Sequence, residues 1–402
     1  MKTRLELTAQ DLTTLLSSLM RGALLQSGKA HFLFADCRNA GEQTPMLPGL
    51  SGLDAEGLRS VAEAFSRMLY LDRHAAEGLL ALPTLGAWAG HARQLWHAGP
   101  GELVFMTSGS TGEPTACHQS FALLEQEIRA QGEIFRGASR IVSLVPAHHI
   151  YGFLFSILLP KVLGIPVADL PPAPSESGIG ELQSSDLVVA FPMFWKHVAA
   201  LSRTLPPGIR GVTSTGPCPA DTIRALLAKG LERMTEVYGS SETGGLGTRH
   251  DPGDAYTLLP FWNRHAGGSP ELLERTLPDG RTDGPVPAPD FLQWETERTF
   301  RPMKRQDKAV QVAGVNVYPH KVADCIRSHP MVRDCAVRPM RPEEGQRLKA
   351  FIVMRAGMSE SEARRELKAW LQHRLSSAEM PKSLTFGPSL PANSMGKDAD
   401  WD

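Results

Sequence analysis

Apolar positions in the first hundred residues recur at three- and four-residue spacing. LTTLLSSLMRGALL (12–25) and LRSVAEAFSRMLYL (58–71) therefore read as amphipathic helices, and the whole of 1–100 as mostly helical. From Leu103 the pattern changes to short apolar runs. LVFM (103–106), RIVSLV (140–145), DLVVA (186–190), GVTS (211–214) and MTEVY (234–238) have the length and branching of buried strands. FALLEQEIRAQGEIF (121–135) and PADTIRALLAKGL (219–231) fit helices between them. Strands alternating with helices predict a largely parallel sheet with helices on its faces.

Residues 251–302 lose that rhythm, and LPDGRTDGPVPAPD (277–290) reads as a turn-rich surface excursion before a boundary. A second unit begins near Lys304. It has strands at AVQVAG (309–314), CAVRPM (335–340) and LKAFIVM (348–354), and helices at HKVADCIRSH (320–329) and SESEARRELKAWLQHRL (359–375). The tail LPANSMGKDADWD (390–402) reads as turn-rich and mobile. The expected architecture is α/β: a large N-terminal domain, 1–303, with parallel-rich sheets and helices, and a small mobile C-terminal α+β domain, 304–402.

With 402 residues, 42% hydrophobic and 21% charged, the chain can bury a sizeable core. Its 42 Lys and Arg nearly balance 43 Asp and Glu, which argues against a nucleic-acid binder. That balance hides a division: residues 303–402 hold 17 basic against 12 acidic residues, and 1–302 hold 25 against 31. Five scattered cysteines without a CxxC pair point to reduced thiols. MKTRLELTAQ lacks the marks of a signal peptide, and the greasiest run, Phe153–Leu159, is too short to span a bilayer. A cytoplasmic protein without a membrane span is expected.

Four segments carry candidate chemistry. LVFMTSGSTGEPT (103–115) is a strand running into a loop of Thr, Ser and Gly. Gly109 and Gly112 let backbone N–H groups approach an anion, and Thr107, Ser108, Ser110 and Thr111 offer hydroxyls. Taken alone, such a loop is equally an ordinary turn. It lacks the GK[ST] of a Walker loop, which weighs against a phosphate-transferring NTPase. In VYGSSETGG (237–245), Tyr238 offers a ring for a purine, Ser241 a hydroxyl and Glu242 a carboxylate for a hard cation. KRQDKAVQVAGVNVYP (304–319) brings Arg305 and Asp307, and LPANSMGK (390–397) ends in Lys397. Each alone has a bland reading as a strand end, a linker or a solvated tail charge.

In this order the four segments resemble those of the adenylate-forming superfamily of acyl- and aryl-CoA synthetases, over about residues 100–402. The resemblance implies that a carboxylic acid attacks the α-phosphate of ATP, releasing pyrophosphate, and that a phosphopantetheine thiol then displaces AMP. That thiol belongs to CoA or to an acyl carrier protein. By the same match Thr107, Ser108, Gly109, Ser110, Thr111 and Gly112 embrace the outer phosphates, and Glu242 holds Mg²⁺. Ser241 meets the α-phosphate, Tyr238 and Gly239 pack by adenine, and Gly216 and Pro217 belong to the adenine-pocket loop. Asp290 and Arg305 bond the ribose. Lys397 bridges carboxylate and phosphate, as a flexible point charge can. Asp307 is the hinge about which the small domain turns between the half-reactions. The basic C-terminal domain suits an anionic thiol carrier.

Thr115 stands where most of the family has Lys, Asp290 follows Pro-Ala-Pro instead of Thr-Gly, and Lys321 and Ala323 replace an acidic pair. The family's acid pocket corresponds to His149, Tyr151, Phe153, Phe191, Ser214 and Gly245. No Asp in VPAHHIYGF (145–153) awaits an ammonium, so an amino acid is disfavoured. The aromatic residues fit an aryl acid such as a hydroxybenzoate, while a medium-chain fatty acid suits an apolar slot. GVNVYP (314–319) resembles the phenylacetate-CoA ligase branch. The chain also resembles hydroxybenzoate-activating ligases of aryl-polyene and xanthomonadin-type pigment pathways. A non-catalytic nucleotide-binding protein is the alternative from another class, which the absent Lys at 115 favours and Lys397 disfavours.

Overall fold

The computed structural model describes residues 4–26, 42–48, 51–72, 74–107, 115–169, 175–266, 269–306, 309–312, 315–341, 344–345, 347–355, 359–391 and 401. Contacts divide the chain into two compact units. The first comprises Met1–Thr107, Thr115–Ala288 and Leu292–Pro302. The second contains Pro289–Phe291 and the chain from Met303 onward.

The first unit opens with helices α1 (Ala9–Gln26), α2 (Ala55–Met68), α3 (Ala75–Leu80) and α4 (Leu85–Ala98). Asp54 caps α2 by accepting from the Gly57 N–H, and Thr84 caps α4 through Ala87, each satisfying an orphan first-turn donor. Their apolar stripes, including Leu15, Phe65 and Trp88, share one core with Phe153 and Phe155. Strand β1 (Glu102–Thr107) is followed by β2 (Thr115–Ser120), which runs antiparallel to it with Thr107 opposite Thr115. The expectation that 103–106 joins the parallel set is thus corrected. A buried apolar run reports burial, and pairing direction is set by where the chain goes next.

Helix α5 (Phe121–Ile134) leads to β3 (Arg140–Ser143). The next helical stretch is α6 (Ile150–Gly152), a π-helical segment Phe153–Leu158, then α7 (Leu159–Leu163). There follow β4 (Val167–Asp169), α8 (Glu176–Gly180), β5 (Asp186–Ala190), α9 (Pro192–Ala200), β6 (Arg210–Thr213), α10 (Ala220–Ala228) and β7 (Arg233–Ser240). Strands β4, β3, β5, β6 and β7 pair in parallel in that order. From β7 the chain reverses into antiparallel strands β8 (Gly244–Arg249) and β9 (Tyr256–Leu258).

Strands β10 (Trp262–Arg264), β11 (Leu272–Thr276) and β12 (Thr282–Pro287) form a separate antiparallel sheet. The stretch 277–290, expected as a surface excursion, therefore contains a strand. Residues of β12 are mostly exposed, which is why Pro, Gly and Asp could occupy it. With β13 (Asp290–Trp294) and β14 (Thr299–Arg305), the main sheet among the described residues has nine strands in the order β13-β14-β9-β8-β7-β6-β5-β3-β4.

In the second unit β15 (Val310–Val312) and β16 (Val315–Val317) pair antiparallel. Helix α11 (Pro319–Arg327) precedes β17 (Val332–Pro339), β18 (Leu348–Met354), α12 (Glu360–Gln372) and β19 (Ser383–Gly387). Strand β18 pairs antiparallel with β17 and parallel with β19. A capping box of Ser359 and Glu362 starts α12, whose Leu367 and Leu371 join Ile326 and Ile352 in the core. No helix among the described residues is long and apolar enough to cross a membrane.

Candidate active site

In a parallel array every strand ends on the same edge, and ligands of open α/β sheets bind beyond those carboxyl ends. Strand β3 ends at Ser143 and is followed by His148, His149 and Tyr151. Strand β5 ends at Ala190, just before Phe191, and β6 at Thr213, before Ser214, Gly216 and Pro217. Strand β7 ends at Ser240, before Ser241 and Glu242. The exits are tied to one another. The Tyr151 hydroxyl donates to the Ala190 carbonyl at 3.1 Å, and the Ser214 hydroxyl to the Val237 carbonyl at 2.8 Å.

The antiparallel hairpin of β1 and β2 meets the turn between β7 and β8. Alternation buries Cys117 and Gln119 on one face of β2 while Ala116 and His118 stay exposed. The Gln119 side-chain amide donates to the Ser241 carbonyl at 2.7 Å and the Glu242 carbonyl at 3.0 Å. The Cys117 thiol lies 3.9 Å from the Thr107 hydroxyl, and its pKa is pushed up to about 11 by burial and then by the charge of Glu242. The Glu242 side chain itself is exposed. The turn is braced within by Ser240 and Thr243, whose hydroxyls lie 3.2 Å apart, and the Thr243 hydroxyl donates to the Gly244 carbonyl at 2.8 Å.

Glycines make this joint possible. A Cβ on Gly239 would fall 2.2 Å from the Gly244 carbonyl oxygen. Gly244 has φ of +69° and rests on Glu127 of α5, with Gly245 beside it. Glu127 is 1% exposed, and its Oε1 accepts from Gln131 at 2.8 Å while Oε2 has no hydrogen-bond partner among the described residues. Burial raises its pKa, partly offset by Arg275.

Of the proposed acid-pocket residues, His149 keeps solvent access although protein crowds the ring, and burial lowers its pKa. Its neighbour His148 is held 2.8 Å from the Ser18 hydroxyl, and burial, then His149 and Arg21, push its pKa down to about 3. Both rings are therefore neutral at physiological pH. Phe191 is half-buried, and Phe153 is fully buried edge-on to Phe105, so it can shape a pocket only from behind. The half-buried Tyr238 ring packs against Tyr256 and Phe300 at 5.5 and 5.4 Å.

Within the second unit the Gln306 N–H donates to the Pro289 carbonyl at 3.2 Å, so Asp290 and Arg305 lie on neighbouring strands, each one residue from that bond. Asp290 is 8% exposed. Ser108, Gly109, Ser110, Thr111 and Gly112, together with Asp307 and Lys397, lie outside the described residues. Sequence reasoning missed Gln119 and Thr215. Thr215 takes φ of +72° at the β6 exit, uncommon for a β-branched residue, and its hydroxyl has no partner among the described residues. An orphaned polar group at a strained strand end is the signal that marks it, and only coordinates carry that signal.

Among the described residues no three His, Cys, Asp or Glu side chains gather as a metal centre. A single exposed carboxylate such as Glu242 nevertheless suits Mg²⁺, which is usually held by one or two carboxylates plus substrate phosphates.

Residues 66–263 match the family described as AMP-binding enzyme, and 321–397 match the AMP-binding enzyme C-terminal domain. A 4-coumarate–CoA ligase of Halorhodospira halophila is 36% identical over 97% of this chain and 99% of its own. One from Rhodobacter capsulatus is 39% identical over 80% of this chain and 82% of its own. The amide bond synthetase of Marinactinospora thermotolerans shares the fold at a TM-score of 0.61 and 17% identity, over 95% of this chain and 92% of its own. The motifs, the mixed sheet and these likenesses place the chain in the family of AMP-binding enzymes, the adenylate-forming ligases.

Proposed function

We propose that the protein is an aryl acid–CoA ligase acting on a phenolic acid of the hydroxycinnamate or hydroxybenzoate type. The observation that supports this reading is that His149, Phe191, Ser214 and Ser241 follow the carboxyl ends of adjacent parallel strands. The two relatives are named for 4-coumarate and CoA, which favours a hydroxycinnamate over a hydroxybenzoate and CoA over a carrier protein. Neutral His148 and His149 support an uncharged aryl group beside them, since a buried ammonium would need a carboxylate.

In this reading the acid carboxylate attacks the α-phosphorus of ATP, the bond to the pyrophosphate oxygen breaks, and pyrophosphate leaves with its electron pair. Thr107 and the residues 108–112 that follow it bind the outer phosphates, and Ser241 donates to the α-phosphate. Tyr238, Gly239, Gly216 and Pro217 flank adenine, and Asp290 with Arg305 orients the ribose. Glu242 would hold Mg²⁺, which supplies positive charge against the phosphates. Lys397 brings a cation to the forming bond from the C-terminal domain, 304–402, which turns about Asp307. The thiol then attacks the acyl carbon and AMP departs.

The test supplies ATP, Mg²⁺ and CoA with 4-coumarate, cinnamates, hydroxybenzoates and fatty acids, and measures AMP and thioester. AMP equal to thioester for a phenolic acid is the expected result. Acid-dependent AMP with thioester appearing only on a carrier protein would reassign the thiol, and preference for a fatty acid would reassign the acid. Lys397→Ala is expected to slow adenylation about 100-fold or more while sparing thioester formation from supplied adenylate. His149→Ala should shift acid selectivity more than ATP affinity.

A further inference from the structure

We infer that Gln119 is a positioning residue for adenylation, joining the strand that leaves the glycine-rich hairpin to the turn that presents Ser241 and Glu242. The inference rests on the active-site reading above. An amide on the inner face of a strand costs desolvation unless its donors are used. Gln119 is 5% exposed, and its single NH₂ group serves two consecutive carbonyls. In an extended strand consecutive carbonyls point in opposite directions. One amide can take both only where the chain turns, so the pair of bonds fixes the turn's shape as well as its place.

Ser240 and Thr243 brace the turn from within. Gln119 reaches it from 122 and 123 residues away in sequence. Its neighbour on the same face, Cys117, lies close enough to Glu242 for that carboxylate to act on its thiol. The inner face of β2 thus holds the carbonyls of residues 241 and 242 through Gln119 and meets the Glu242 carboxylate through Cys117, while the Ser241 side chain stays half-buried and that of Glu242 exposed. Groups that meet phosphate must be held by such a supporting layer, because small displacements are costly in rate. Gln119 takes no proton and forms no bond with substrate.

The experiment compares the parent with Gln119→Leu and Gln119→Glu. Three readouts are taken: acid-dependent ATP–pyrophosphate exchange, calorimetric Kd for Mg·ATP without acid, and thioester formation from supplied acyl-adenylate. Loss of the two donors should lower the exchange rate about 10–100-fold and weaken Mg·ATP several-fold. Thioester formation from adenylate and the KM for acid should stay within about twofold. Equal loss in both half-reactions, or unchanged exchange, overturns the inference. Should the leucine variant not fold, the glutamate variant decides, since it keeps the shape but offers no donor when ionised and one when protonated, and so cannot hold both carbonyls; failure of both to fold also overturns it. A parent without any acid-dependent exchange would instead sink the proposed function, leaving this inference without its step.

Discussion

The two halves of the main sheet meet at β7 and are built differently. On the parallel side β5 and β6 are buried at every residue, as strands covered on both faces must be. On the antiparallel side β9 and β13 alternate between buried and exposed positions. The parallel side supplies rigid strand ends and sends the chain outward at each of them. The antiparallel side supplies close backbone packing, with Gly239, Gly244 and Gly245 allowing the β7–β8 turn to settle on Glu127. Candidate chemistry gathers where exits and turn adjoin. A rigid array positions groups, and a glycine joint lets the carrying loop approach closely.

Breaking the joint should have the largest effect. Gly239→Ala would place a methyl against the Gly244 backbone, which cannot yield as a side chain can. A loss of about 4 kcal/mol in denaturant unfolding, with loss of exchange activity, is expected.

Each half also contains a buried ion pair, and the two should differ. Arg140 grips Asp186 at 2.6 and 3.0 Å, and Asp186 is fully buried. Arg140→Leu takes both guanidinium bonds and the counter-charge from that carboxylate, leaving it the Gln183 N–H at 2.8 Å, and should cost about 3–5 kcal/mol. Arg249 reaches Glu236 through one bond of 2.5 Å and lies over the Tyr256 ring, while Glu236 keeps the Cys218 N–H at 2.9 Å. Arg249→Leu should cost about 2–3 kcal/mol. Equal losses would remove the distinction between the halves.

Glu127 sharpens the comparison through pH. Its folded pKa is raised, so the native state keeps the proton more tightly and stability falls as pH climbs above the ordinary carboxyl range. Glu127→Gln removes that dependence, so its melting temperature should gain on the parent's between pH 5 and pH 8. A constant difference would mean that the carboxyl is ionised throughout. Smallest of all, Thr215→Gly should relieve the left-handed backbone and add about 0.5–1 kcal/mol, while altering nucleotide or acid affinity.

The parallel half was legible because continuous apolar runs such as DLVVA leave little alternative to a buried strand. The second unit was legible at α11, α12 and β18 for the same reason. VNV and SLTFG, the strands β16 and β19, are short and partly exposed, and so resembled loop. The hairpin partner of β1 was hidden because TACHQS alternates too weakly in hydrophobicity to mark a buried face. Glu242, Ser241 and Tyr238 were singled out as candidates through an ordered resemblance. Gln119 escaped because a glutamine among polar residues looks solvated, and its worth lies in two carbonyls more than a hundred positions away.

The central claim, that the strand exits and the β7–β8 turn form an acid-adenylating site, is tested most directly by ATP–pyrophosphate exchange. With Mg²⁺ and a panel of aryl, cinnamyl and fatty acids, exchange should depend on the acid and be fastest for a phenolic one. Exchange absent across the panel, or ADP released in place of AMP and pyrophosphate, would contradict it.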